Sequence, residues 1–358
     1  MKVLFAARNY PPNVGGAEKL NYDLARYLSK FVELDVIPNR FGKYSPIFHF
    51  YVFLRVLFKK VDVIFLSDTL LAPLIPLLKI LKRKPVIIKV HGLDITYPNR
   101  LYQLFIPMFT NMADKIICIS EATKYECIKR GIDPDKCTVI PVGIEPNEIY
   151  LNKDKQELRN IVAKKLKLDL HNKKILLSVG RLVERKGFHW FVENVIPKLI
   201  EREENLIYLI AGDGPYREII EEIITNHHLE DYVKLLGKVD DETLRLLYNV
   251  VDIFVMPNIP VEGDMEGFGI VILEAASCGV PVVASNLEGI RDAIVEEKNG
   301  FLVKVYDVDE FIKIINRLLR DNKKERNLSR IRNFTLNYFN WDIIAKNYIS
   351  EIYKIHKE

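Results

Sequence analysis

Cysteine is scarce, with four in 358 residues. Cys118, Cys127, Cys137 and Cys278 show neither a C-x2-C spacing nor a paired framework. This excludes a disulfide scaffold and points to reduced structural thiols in a cytosolic protein. No apolar run reaches the ~18 residues that a membrane span needs. The opening MKVLFAARNYPP reads as a strand and lacks the apolar centre of a signal peptide, so a cytoplasmic location is expected. A dinucleotide fingerprint G-x-G-x-x-G is missing from the first loop, where it would stand. Charge of neither sign dominates the chain, which has 52 Lys and Arg against 48 Asp and Glu.

That balance is uneven along the chain. Residues 1–150 hold 21 Lys and Arg against 14 Asp and Glu, a net of +7 where the whole chain has +4. A basic first half calls for an anionic surface or acceptor on that side. Apolar residues make up 49% and charged residues 28%, as in ordinary soluble globular proteins. The length exceeds the ~250–300 residues at which single cores stop growing, so two domains are expected.

Short apolar runs at 3–7, 61–66, 86–90, 115–119 and 138–140 read as strands. Helical periods near 17–30, 45–59, 70–81, 101–112 and 121–129 lie between them. A polar, Lys-rich stretch over 149–171 follows as a linker with one helix. The alternation then resumes with strands at 175–179, 206–211, 233–236, 253–256, 282–284 and 301–303. Such alternation predicts parallel sheets covered by helices. Helices over 310–320 and 341–355 close the chain.

The most informative stretch is EGDMEGFGIVILEAASCGVPVVAS, residues 262–285. It reads as a Gly-rich loop, a helix opening near Gly269, a turn at Cys278-Gly279 and a strand. Glu266 and Glu274 stand in the loop and in the first turns of the helix. The N–H groups of Gly267, Phe268, Gly269, Ile270 and Val271 lack intrahelical partners and suit an anionic or hydroxyl-rich ligand.

This stretch resembles the large retaining glycosyltransferase family 4, whose E-x7-E signature is met by Glu266 and Glu274. The resemblance covers nearly the whole chain and implies the GT-B fold, two Rossmann-like α/β domains facing across a cleft. Residues 1–150 are then the acceptor-binding domain and 151–340 the nucleotide-sugar donor domain. Residues 341–358 form a helix that crosses back to the first domain. The implied activity is transfer of a sugar from a UDP- or GDP-sugar, such as GDP-mannose, to a glycan or lipid-linked acceptor. No cofactor or metal and no nucleic-acid partner are implied. Two other readings remain open, a nucleotide-sugar epimerase of the same architecture and a non-catalytic binding module.

Other motifs fall in the family's order. The loop after the first strand, Asn9-Tyr10-Pro11-Pro12-Asn13-Val14-Gly15-Gly16-Ala17-Glu18, matches its G-G-A-E loop beside the donor diphosphate or the acceptor. Paired glycines let backbone approach a ligand there. His91 and Asp94 follow the strand PVIIKV, at the strand end where α/β proteins bind ligands, and His91 matches a family residue at the donor sugar. In LLSVGRLVERKGF, Arg181 and Lys186 match cations that hold the diphosphate, one as a fork and one as a point charge. Gly212, Gly214 and Val239, after the next two strands, resemble loops around the base. In the family pattern Glu266 and the Gly267–Gly269 amides position sugar hydroxyls, and Glu274 accepts from the ribose.

Some features depart from the pattern or carry a plainer reading. Glu288-Gly289-Ile290-Arg291-Asp292 replaces the usual G-G-x-P-E, and Val142-Gly143-Ile144-Glu145 replaces N-G-[VI]-[DE]. The triplets Asp133-Pro134-Asp135 and Asp307-Val308-Asp309 are read as turn and helix caps, and Ser120-Glu121 as a helix N-terminus. The apolar stretches at 47–58 and 70–84 read first as buried helices. Their competing reading is a face on an anionic membrane, with Lys82, Arg83 and Lys84 towards lipid phosphate.

Overall fold

The run Lys2–Ala7 is apolar after its first residue, and those five residues are fully buried in strand β1. The computed structural model describes residues 1–12, 15–42, 46–145, 149–321 and 324–357, without the side chains of 324–326. The chain divides into two units. The first comprises Met1–Gly143, Glu262–Phe268 and Phe339–Glu358, and the second Ile144–Val261 and Gly269–Tyr338. The loop 262–268, assigned from sequence to the donor domain, thus clusters with the first unit.

The first unit holds β1, β2 (Glu33–Pro38), β3 (Val63–Leu66), β4 (Val86–Val90), β5 (Lys115–Cys118) and β6 (Cys137–Val139). They form one parallel sheet in the order β2-β1-β3-β4-β5-β6. Its helices are α1 (Gly16–Leu28), α2 (Pro46–Phe58), α3 (Ile75–Lys82), α4 (Leu93–Thr96), α5 (Arg100–Asn111) and α6 (Glu121–Lys129). Strand order reverses between β1 and β3, the place where open α/β sheets leave a crevice at the carboxyl ends of their strands.

The second unit repeats the scheme with β7 (Lys174–Val179), β8 (Leu206–Ala211), β9 (Val233–Gly237), β10 (Ile253–Met256), β11 (Val282–Ser285) and β12 (Gly300–Val303). Their order, β12-β11-β10-β7-β8-β9, reverses between β7 and β10. The helices are α7 (Lys155–Leu166), α8 (Phe188–Asn194), α9 (Ile196–Ile200), α10 (Arg217–Asn226), α11 (Asp241–Val250), α12 (Ile270–Ser277), α13 (Ile290–Ala293), α14 (Val308–Leu319) and α15 (Lys324–Tyr338). The last helix, α16 (Trp341–Lys357), belongs to the first unit and packs on α1. Trp341 stacks on Tyr27 at 5.9 Å and Tyr348 on Phe65 at 6.0 Å. Trp341 also fills the space beside Gly143, where a Cβ would lie 2.4 Å from the indole.

Three elements escape the sequence reading for physical reasons. Strand β2, ELDVIP, is an edge strand with Glu33 and Asp35 in it, so it shows no apolar run. Helix α15, KERNLSRIRNFTLNY, is polar in most of its positions, with Leu328, Ile331, Phe334, Leu336 and Tyr338 the exceptions. The helix expected over 70–81 is a 3-10 turn, Thr69–Leu74, followed by α3, because Pro73 and Pro76 interrupt the α-helical ladder. Asn13, Val14 and Ser45, within expected loop and helix segments, lie outside the described residues, as does Glu358.

Both aspartate triplets cap. Asp133 accepts from Asp135 N at 3.0 Å and Asp307 from Glu310 N at 3.0 Å. Ser120 caps α6 through Thr123 N at 3.0 Å. The free thiols of Cys118 and Cys127 lie 3.9 Å apart in a sulfur hydrogen bond, not a disulfide, in the first unit's core.

Candidate active site

In the first unit the carboxyl ends of β1, β3 and β4 bring charged side chains together out of water. Arg8 Nε bonds Asp68 Oδ2 at 2.9 Å, both residues buried, and Arg8 N donates to Ser67 Oγ at 3.0 Å. Asp68 also accepts from Leu70 N at 3.0 Å, which starts the 3-10 turn. Asp94 accepts from His91 N at 2.8 Å and from Thr69 N at 3.2 Å, so one carboxylate ties the β3 and β4 loops together. Burial, then the charge of Asp68, push the Asp94 carboxyl up to about 6.

Lys89 lies within β4, two residues before His91 and on the same side of the sheet. It is fully buried, and Nζ has no hydrogen-bond partner. Burial brings its amine down to about 7, although Asp94 and Asp68 favour the charged form. His91 Nε2 lies 2.9 Å from Ser67 O. A carbonyl can only accept, so Nε2 carries the proton. Burial first, then the Lys89 charge, hold the imidazole well below its ordinary value. The ring is therefore neutral, with a lone pair on Nδ1 that can accept from a hydroxyl.

The Glu262–Phe268 loop lies backbone-on-backbone against this strand end. A Cβ on Gly267 would stand 1.9 Å from His91 O, and one on Gly92 3.0 Å from the Gly267 Cα. Only glycine at both positions permits the approach. It brings Glu266, half-buried and next to Gly267, alongside His91. Phe268 turns its ring inward, edge-on to Phe339 at 6.2 Å, so of this residue the main chain is what remains for a ligand. At the amino end of α1, Gly15 is extended and the Glu18 carboxylate folds back over it, before Gly16 opens the helix.

In the second unit the strand ends are made of glycine. A Cβ on Gly212, after β8, would lie 1.8 Å from Gly180 O, after β7, and one on Gly214 2.4 Å from Leu182 O. Gly212 N donates to Gly237 O at 2.8 Å. Lys186 is buried and lies along Gly180, its Cε 3.2 Å from the position of a Cβ there. Gly187 follows at φ 64°, where a Cβ would meet Pro257 O at 2.0 Å. Arg181 is exposed at the end of β7, and Val239 is half-exposed beyond β9.

Helix α12 begins at Gly269, which has left-handed backbone (φ 84°) and gives no side-chain cap. The first-turn N–H groups at Ile270 and Val271 point out of the helix end, unmatched by any cap side chain. One turn on, Glu274 Oε2 accepts from Tyr248 OH at 2.8 Å. Tyr248 is buried, and burial keeps its phenol protonated, so it fixes the orientation of the carboxylate.

The structure thus gathers His91, Glu266 and Gly267 in one unit, and Arg181, Lys186, Gly212, Gly214 and Glu274 at strand and helix ends of the other. Arg8, Asp68, Lys89 and Tyr248 were missed in the sequence. Lys89 alone left a signal, a cation inside the otherwise apolar run VIIKV. Among the described residues no group of three or more His, Cys, Asp or Glu gathers as a metal site.

Comparison with known proteins agrees with this layout. The family described as Glycosyl transferases group 1 matches residues 161–332, and Glycosyltransferase Family 4 matches residues 32–148. An uncharacterized glycosyltransferase of Methanocaldococcus jannaschii is 31% identical over 78% of this chain and 72% of its own. The phosphatidylinositol N-acetylglucosaminyltransferase GPI3 subunit of Saccharomyces cerevisiae is 26% identical over 67% of this chain, but only half of that protein's length is matched. Among solved structures, Anabaena HepE in complex with UDP superposes with a TM-score of 0.77 at 21% identity, covering 99% of this chain and all of the other. HepE has also been solved with UDP-glucose.

Proposed function

Since the chain belongs to the glycosyl transferases group 1 and has the two-unit GT-B fold, we propose that it transfers a sugar from a nucleotide-diphosphate donor with retention of anomeric configuration. The observation that carries this reading is the glycine-built ends of β7 and β8 with Arg181 and Lys186 beside them. Backbone packed this closely leaves room for a diphosphate, and the two cations offset its charge. The uncapped start of α12 adds N–H donors and a favourable dipole. Glu274, oriented by Tyr248, accepts from ribose hydroxyls. The family resemblance assigns Gly15 and Gly16 to the donor phosphates or the acceptor, and Gly214 and Val239 to the base. A UDP-sugar is the first donor to test, because HepE was solved with UDP and UDP-glucose; a GDP-sugar is the second.

At the reacting carbon, Glu266 and the Gly267 amide hold sugar hydroxyls, and the neutral His91 accepts a hydroxyl proton through Nδ1. A covalent glycosyl-enzyme needs a carboxylate facing the anomeric carbon from the side opposite the leaving group. Glu266 is committed to hydroxyls instead, so transfer proceeds on the leaving-group face. The departing phosphate oxygen takes the acceptor proton as the new glycosidic bond forms, and Arg181 and Lys186 neutralise the diphosphate without a divalent metal. The acceptor is a glycan or a lipid-linked sugar, the second in keeping with the phosphatidylinositol named in the yeast relative, and the enzyme then works at a membrane surface.

The test is turnover in excess EDTA with the product's anomeric configuration read by NMR. Acceptor-dependent release of nucleotide with a retained product is expected. An inverted product, or activity lost in EDTA and restored by Mg²⁺, overturns the mechanism. Donor turnover without acceptor favours an epimerase, and nucleotide binding without turnover favours a binding module.

A further inference from the structure

Right-handed crossovers place α2, α3 and α5 on one face of the first sheet, opposite α1 and α16. α2 touches α3, and α3 touches α5. Each helix buries one side on the sheet, through Val52 and Val56, Ile75 and Leu78, and Ile106. The side turned to solvent should then be polar. Instead Phe50 and Phe58, Ile80 and Leu81, and Leu101 and Leu104 are all exposed, from 51% for Leu81 to 82% for Phe58. On the second unit, the large apolar side chains exposed among the described residues are four, on separate elements. Three adjacent helices that are apolar on both sides form a continuous face that water does not favour.

Charge identifies what covers it. The sequences PIFHFYVFLRVLF, IPLLKILK and RLYQLFIPMFTN contain no Asp or Glu, and they carry Arg55, Lys79, Lys82 and Arg100. Lys60, Arg83 and Lys84 extend the cations past the ends of α2 and α3; Arg55 and Lys59 already pair with Asp35 and Lys79 with Asp114, and Glu33 and Asp62 share a hollow with Lys60, Lys82 and Lys84, so the charge left for a partner is that of Lys60, Lys82, Arg83, Lys84 and Arg100. A second copy docked by two-fold symmetry would present the same face, with no acid on its helices to meet these cations. A lipid surface with anionic headgroups offers hydrocarbon for the aromatic and Leu side chains and phosphate for the rim.

We propose that the α2–α3–α5 face is a membrane-docking surface that enters the headgroup layer of an anionic bilayer. It extends the reading of a lipid-linked acceptor, and its test uses neither donor nor acceptor, so the two fail separately.

The full chain is sedimented with vesicles of phosphatidylcholine alone or with phosphatidylglycerol added, over a range of salt. Binding is expected to need the anionic lipid and to weaken with salt. The triple substitution Lys82→Gln, Arg83→Gln, Lys84→Gln should lower the partition constant roughly 100-fold, and Phe58→Ser with Ile80→Ser should lower it at least 10-fold. All five positions are at or near the surface, so melting temperature should be kept and is checked in parallel. Equal binding to neutral and anionic vesicles, binding to neither, or a dimer in solution that the Phe58→Ser, Ile80→Ser variant dissociates would each overturn the proposal.

Discussion

The two units wind six parallel strands in the same way and reverse their order at one point, yet they finish their strands in opposite manners. In the second, β7 and β8 end in glycines packed main chain against main chain, and Gly237 at the end of β9 accepts from Gly212 N. In the first, β1, β3 and β4 end in the buried Arg8, Asp68 and Lys89 and the half-buried His91, all charged or titratable groups. Backbone N–H groups are the same whatever side chains surround them, so glycine ends suit the unchanging part of a substrate, a diphosphate. The outer faces contrast too, apolar on the first unit and mostly polar on the second. One topology thus carries glycine-built strand ends under a mostly polar outer face in one unit, and a buried charged pocket under an exposed apolar face in the other.

The sharpest way to break this comparison is to remove the second unit's cations. Arg181→Ala and Lys186→Ala should each lower kcat/KM by about 100- to 1000-fold. Arg181 is exposed, so its variant should keep the wild-type melting temperature. Near wild-type turnover with subsaturating donor would mean that the glycine ends hold the diphosphate alone, or hold something else.

A second test concerns the first unit's pocket. The Lys89 amine has its value lowered on folding, from 10.5 to about 7. The unfolded chain therefore binds the extra proton between these values. Lys89 costs stability in full below about pH 7, and the cost fades as pH rises towards the unfolded value. Asp68 is already paired with Arg8, and Asp94 with two N–H groups, so removing the amine orphans neither carboxylate. Lys89→Met should raise stability by on the order of a few kcal/mol at about pH 6 and by much less at about pH 10, read from thermal melts. Destabilisation at both would show the amine ionised and paired, a pocket built like a salt bridge.

The smallest effect expected is that of Tyr248→Phe, which removes the bond to Glu274 Oε2 and leaves the ring in place. A loss of about 1 kcal/mol in donor binding, some 5-fold in Kd by titration, is expected. No change would mean that Glu274 is held by its other neighbours.

The contrast also explains what could be read before the structure. Arg181, Lys186, Gly212, Gly214, Glu266 and Glu274 sit in short strings, where local spacing encodes position at a strand or helix end. The pocket of Arg8, Asp68 and Lys89 joins residues about 60 and 20 positions apart, and only the sheet order brings them together. The edge strand β2 is broken by Glu33 and Asp35 and helix α15 is polar in most of its positions, so neither offers the continuous apolar stretch by which the other elements stood out. The stretches at 47–58 and 70–84 were read first as buried helices. They are half that, one side on the sheet and the other bare, a distinction that hydrophobicity without a polar face cannot make.

The route of the polypeptide has a practical consequence. It passes from one unit to the other four times, at residues 143, 261, 268 and 338. No single scission therefore releases either half intact. A gene truncated after codon 143 would yield a sheet stripped of α16, with the faces of Tyr27 and Phe65 that Trp341 and Tyr348 stack on laid open, and without the short segment that rests on His91. Splitting this protein into halves for expression, or swapping one half with a relative to change its specificity, requires grafting the distant C-terminal segment along with the first unit.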